Sequence, residues 1–180
     1  MTEIAPTTVY DYTPQQAEVV RLADRYRRCL MDQKYYARRL ALYQRWDIAT
    51  NLFAGFAMLL SLATRNSISW IANASYAVGA LAAIIFIGKP ILRVSEQIEK
   101  YTILHCGFGE VFSRIEALMA DIRRADSVTD EHRQRAEELF KRCESLALRE
   151  DASVNWKQLA RIKEEVDKAI PFDTLWLPSK

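Results

Sequence analysis

From Ile48 to Thr64 the chain reads IATNLFAGFAMLLSLAT, and from Asn66 to Gly88 it reads NSISWIANASYAVGALAAIIFIG, with Arg65 the one charge between them. Runs of about 17 and about 23 uncharged residues bracket the roughly 20 that a helix needs to cross a ~30 Å hydrocarbon core. The stretch therefore predicts a two-helix transmembrane hairpin, with spans at about 47–64 and 67–88. The polar tetrapeptide Thr64, Arg65, Asn66 and Ser67 is long enough to reverse the chain and too short for another domain. A competing reading is a soluble α-bundle with an unusually apolar inner hairpin, since Thr50, Asn51, Ser61, Asn73 and Ser75 interrupt the spans. Soluble helices rarely lack a charged face for two consecutive segments of this length, which favours the membrane.

The flanks set the orientation. Lys34, Arg38, Arg39 and Arg45 precede the first span, and Lys89, Arg93 and Lys100 follow the second. By the positive-inside rule both flanks, and hence both termini, are expected in the cytoplasm of a cell bounded by an inner membrane. Arg45, Trp46, Arg65, Trp70 and Lys89 lie at span ends, where long cationic and indole side chains anchor at the headgroup level. Within the spans, Ser75, Gly79 and Ala83 recur on one face, and Gly55 follows Asn51 by one turn. Small residues at that spacing let helix backbones approach in lipid. A carboxamide in hydrocarbon needs a partner or water, so Thr50, Asn51, Ser61, Asn73 and Ser75 are expected to join helices or to line an aqueous lumen.

Working outward, Val19, Leu22, Tyr26, Cys29, Gln33, Tyr36, Leu40 and Tyr43 form an apolar stripe at alternating three- and four-residue spacing beginning soon after Pro14. Val94, Ile98, Tyr101, His105, Phe108, Phe112, Ile115, Met119 and Ile122 form another. Each predicts one face of a continuous helix, packed antiparallel as a coiled-coil-like stalk below the hairpin. Gly107 and Gly109 mark a bend or a close crossing. RADSVT, from Arg124 to Thr129, breaks the pattern, with Ser127 and Asp130 at capping-box spacing. A third amphipathic segment uses Leu139, Phe140, Cys143, Leu146 and Ala147, and a fourth runs from about Val154 to Ala169, ended by Pro171. Trp176 and Leu177 are expected to dock on the helices. The expected fold is thus an all-α membrane protein. Its parts are an N-terminal tail (1–13), a cytoplasmic amphipathic helix (14–46), the transmembrane hairpin (47–89), cytoplasmic helices (90–169) and a C-terminal tail (170–180).

Composition narrows the function. The chain has 180 residues, 50% hydrophobic, with 25 basic and 23 acidic residues and a formal net charge of +2. That balance is no nucleic-acid footprint, and the pairs Arg27–Arg28, Arg38–Arg39 and Arg123–Arg124 read as solvated or juxtamembrane faces. Residues 1–46 contain no apolar signal-peptide core, so any insertion is expected to be internal and permanent. Cys29, Cys106 and Cys143 fit no paired metal-ligand spacing and leave one over if two are bridged; they read as reduced, buried thiols facing a cytosol. His105 falls on the apolar stripe and His132 sits among Glu131, Arg133 and Gln134. Zinc-protease, nucleophile-elbow, phosphate-loop and CxxC motifs are missing. The HEPN ribonuclease class places a His four to six residues after an Arg, whereas Arg124 precedes His132 by eight. No enzyme, cofactor or metal is expected.

A Tyr- and Arg-rich amphipathic helix (YRRCLMDQKYYARRLALYQRWD), a tight hairpin, a long following helix and a Trp-containing end (PFDTLWLPS) together resemble the SLATT family of bacterial two-transmembrane proteins. The likeness spans nearly the whole chain and rests on architecture, not on an invariant motif. It implies a membrane effector of a bacterial defence or conflict system, forming homo-oligomeric pores in a lipid bilayer when a nucleotide-signal synthase, sensor or CRISPR-type partner triggers it. A related possibility is the pore protein that accompanies some RNA-targeting CRISPR effectors. Two spans cannot enclose a water path alone, so conduction would take several chains around an axis. The alternative is a membrane-anchored helical adaptor that recruits a soluble partner; a HEPN-like RNase ranks third.

Overall fold

The computed structural model describes residues 12–63, 78–84, 93–150, 154–171 and 176–178. Among them every regular element is α-helical: α1 (Pro14–Ala63), a helical segment at 78–84, α2 (Val94–Ala125), α3 (Asp130–Ala147) and α4 (Trp156–Ala169). The chain divides into two compact units, one comprising Met1–Gln33 and Cys106–Lys180, the other Lys34–His105.

The transmembrane hairpin is not upheld. Among the described residues no helix is long and apolar enough to cross a membrane. The membrane fold class, the transmembrane spans and the inner-membrane placement with both termini cytoplasmic are corrected accordingly. The physical reason lies in how the first tract is built. Its described part lies in one 50-residue helix and runs uncharged for about 16 residues, Ile48 to Ala63, or roughly 24 Å against the ~30 Å of hydrocarbon. Asp47 is tied into the start of this tract, its carboxylate accepting from the Asn51 amide at 3.2 Å. Of the expected second span, residues 78–84 are described as helix, about 10 Å of rise; its remainder, and the turn at 64–67, lie outside the described residues.

In the first unit, α1 starts where the sequence stops it from starting earlier. Pro14 occupies the first helical position, where its missing N–H costs nothing. Thr13 and Gln16 cap each other, the Thr13 N–H donating to Gln16 Oε1 at 3.1 Å and the Gln16 N–H to Thr13 Oγ1 at 3.4 Å. Buried Gln16 also donates from Nε2 to the Pro178 carbonyl at 3.1 Å, and the Arg123 guanidinium lies 6.0 Å from the Trp176 ring centroid. The tail is thereby held on α1 and α2. The core joins Val19, Leu22, Ala23 and Cys29 of α1 to Phe108, Val111, Ile115, Leu118 and Ile122 of α2. Leu139, Phe140, Cys143 and Leu146 of α3 and Ile162 and Val166 of α4 complete it. Tyr26 stacks on Phe112 with centroids 4.4 Å apart.

Asp126, at the α2 terminus, adopts a positive φ of 49°, the left-handed turn that ends many helices. The next helix is capped by Thr129 and not, as the spacing suggested, by Ser127. The Thr129 hydroxyl accepts from the His132 N–H and the His132 ring accepts from the Thr129 N–H, closing a capping box. Ser127 instead donates its hydroxyl to the Ala125 carbonyl. Asn155 caps α4 through the Gln158 N–H.

In the second unit the buried residues are Tyr35, Tyr36, Ala57, Val94, Tyr101 and Leu104, with Thr50. Tyr101 lies against Tyr36 and Tyr43 at centroid distances of 6.0 and 5.4 Å. Arg39 donates to the Tyr35 hydroxyl from both Nε and Nη2.

Candidate functional site

Two places stand out, one in each unit. The first is a face of α1. Thr50 and Ala57 point inward, and Phe53 and Ala54 are half-buried beside them. The opposite side presents Ile48, Leu52, Phe56 and Leu59, all between 58% and 70% exposed, while Leu42 and Trp46, also exposed, lie earlier on α1 and on a different side. At 100° per residue those four positions fall within about 80° of one another, at steps of four, four and three residues. A Cβ built on Gly55 meets nothing within 4 Å, so this part of the face is open. A row of exposed large apolar side chains of this kind is a surface that folded chains ordinarily cover. Leu81 and Ile84 of the 78–84 segment are also more than half exposed.

The residues expected to line a lumen or join spans divide accordingly. Thr50 is buried and donates its hydroxyl to the Asp47 carbonyl at 2.9 Å; Asn51 is exposed and held by the Asp47 carboxylate. Both polar groups are thus satisfied within their own helix. Ser61 lies in the last turn of α1, its side chain outside the described residues, and Asn73 and Ser75 lie outside them altogether. Gly79, like Gly55, is open on its Cβ side, and Ala83 is exposed. Arg45 and Trp46 are exposed on α1, while Arg65, Trp70 and Lys89 fall outside the described residues.

The second place is a buried cluster in the first unit. Cys29 of α1 and Cys143 of α3 are both free and buried, with Sγ atoms 3.2 Å apart. Cys106, expected to be buried like them, is exposed. Cys29 is held well above the usual thiol range, chiefly by its hydrogen bond with Cys143, in which either sulfur can be the donor, and then by burial. The Cys143 thiol is lowered by that same bond, with help from the Arg25 guanidinium. A cavity of about 110 Å³ opens beside the pair, lined also by Arg25, Arg28, Asp32, Phe108 and Glu150. Burial pushes the Asp32 carboxyl up to about 7, and the Glu150 charge adds to the rise while Arg28 opposes it.

Other features resolve into structure. His132 is engaged by the helix cap, and Arg124 pairs with Asp121 at 3.3 Å. A groove of about 590 Å³ between α2 and α3 is lined by Arg114 and Arg135 among others, which pair with Glu110 and Asp121. Among the described residues no group of three or more His, Cys, Asp or Glu could hold a metal ion. Sequence reasoning weighed the cysteines by spacing along the chain and so missed the Cys29–Cys143 approach. Their positions on two separate apolar stripes were the available signal.

No family model, no curated protein and no solved structure matches the chain.

Proposed function

We propose that this protein is a self-associating helical scaffold, in which the apolar face of α1 from Ile48 to Leu59 is buried against the same face of a second copy. The exposure of Leu52, Phe56 and Leu59, at 70%, 58% and 67%, is the observation that carries the reading. Leaving those side chains in water costs about 1.5–3 kcal/mol each relative to burial. A two-fold axis lets one continuous stripe cover its own copy without any second patch.

The test is sedimentation equilibrium of the purified chain from about 1 to 100 µM. The scaffold reading expects a dimer or larger assembly, and monomers for Leu52→Glu and Phe56→Glu with helical content and melting temperature of the monomer retained. Wild-type chain that stays monomeric across that range refutes self-association.

A further inference from the structure

We propose that Cys29 and Cys143 are a peroxide-responsive dithiol that reversibly ties α1 to α3. The two sulfurs already stand 3.2 Å apart, so a disulfide near 2.05 Å requires little more than ~1 Å of side-chain movement. The residues are 114 positions apart in sequence, and the helices that carry them hold the sulfurs together without any local turn. Cys29 is 2% exposed and Cys143 6%, which ordinarily makes a thiol inert. The cavity of about 110 Å³ at the pair removes that obstacle, because a water-sized molecule needs only about 10–15 Å³ by the same measure. Hydrogen peroxide is scarcely larger than water.

The two thiols are not equivalent, and their roles follow. Either sulfur can hold the proton between them; Arg25 lowers both thiols, while Asp32 opposes it at both and Glu144 at Cys143. Cys143, the less buried of the two, is the attacking sulfur. Its thiolate displaces water from hydrogen peroxide: an S–O bond forms, the O–O bond breaks, and a proton from solvent completes the leaving water. The sulfur becomes a sulfenic acid, oxidised by two electrons that reduce the peroxide. Cys29 then attacks the sulfenic sulfur, the S–S bond forms as S–O breaks, and hydroxide leaves with the Cys29 proton as a second water. In sum, two thiols and one hydrogen peroxide give one disulfide and two waters. Bridging residues so distant in sequence restricts the unfolded chain, and such a loop is expected to raise Tm by about 5–15 °C.

The experiment uses the full chain carrying Cys106→Ser, which removes the exposed thiol and leaves the core intact. One equivalent of hydrogen peroxide under native conditions should lower the mass by about 2 Da. It should protect Cys29 and Cys143 from iodoacetamide after unfolding and raise Tm, all reversed by dithiothreitol. Adding Cys29→Ser should leave Cys143 as a sulfenic acid trapped by dimedone. The proposal is overturned if both thiols still alkylate after peroxide treatment of the folded Cys106→Ser chain, or if a disulfide forms only between chains or only in denaturant. These readouts need no association between copies.

Discussion

Gly107 of α2 packs against Leu146 of α3, and replacing it with alanine sets two effects of similar size against each other. In a helix interior the change from glycine to alanine is worth about 1 kcal/mol of stability. Here, however, the new Cβ would stand 2.7 Å from Leu146 Cδ2 and 3.1 Å from Cδ1. Leu146 is only 3% exposed, so its methyl groups are enclosed and cannot swing into solvent. Forcing an extra methyl into a filled core costs about 1–3 kcal/mol. The collision wins, and Gly107→Ala should lose about 1 kcal/mol net, a fall in Tm of about 2–4 °C for a chain of this size. Gly109 provides the control on the same helix. Its new Cβ would meet Gln33 Nε2 at 2.7 Å, the amide end of a half-buried, flexible side chain. Shifting that amide relieves the contact at some expense to the interaction Gln33 already makes, so Gly109→Ala should be close to neutral. A double-mutant cycle isolates the contact. Leu146→Ala alone should cost about 2–5 kcal/mol. Combined with Gly107→Ala, the loss should fall short of the sum by about 1–2 kcal/mol, because each change makes room for the other. Thermal and urea melts followed by circular dichroism measure all four proteins. Equal stabilisation by the two alanines, or a strictly additive cycle, would refute the close-crossing argument.

Asp32 gives a pH-dependent prediction. Its carboxyl titrates near 7 in the folded chain against 3.8 ordinarily, so between those values the folded state binds the extra proton and stability falls as pH rises, levelling off above 7. Asp32→Asn removes this slope and should be more stable than wild type at pH 8 by about 1–4 kcal/mol, with a smaller gap at pH 5; urea melts giving the same gap at both would count against it. Thr129→Ala opens the capping box of α3 and should cost about 1 kcal/mol, lowering Tm by about 2–4 °C; an unchanged melt would mean the Ser127 region caps the helix after all.

The sequence alone was sufficient to specify the described helices and their breaks. Pro14 with Thr13, the RADSVT interruption and Pro171 are local signals, and helix formation depends on neighbours within four residues. The apolar stripes also located α1 and α2, but on α2 they omitted three of its eight buried hydrophobic residues. Ile98, His105, Phe112 and Met119 are partly exposed, whereas Leu104, Val111 and Leu118, omitted from the stripe, are at most 1% exposed. A helix with apolar residues on adjacent rows does not state which row faces a neighbour; the packing of other elements decides it. The same holds for the thiols, since nothing local relates Cys29 to Cys143. It holds most of all for the tract from Ile48 onward, where lack of charge signals only an aversion to water. Bilayer and partner helix both satisfy that aversion, and the outward orientation of Leu52, Phe56 and Leu59 is a property of the folded chain.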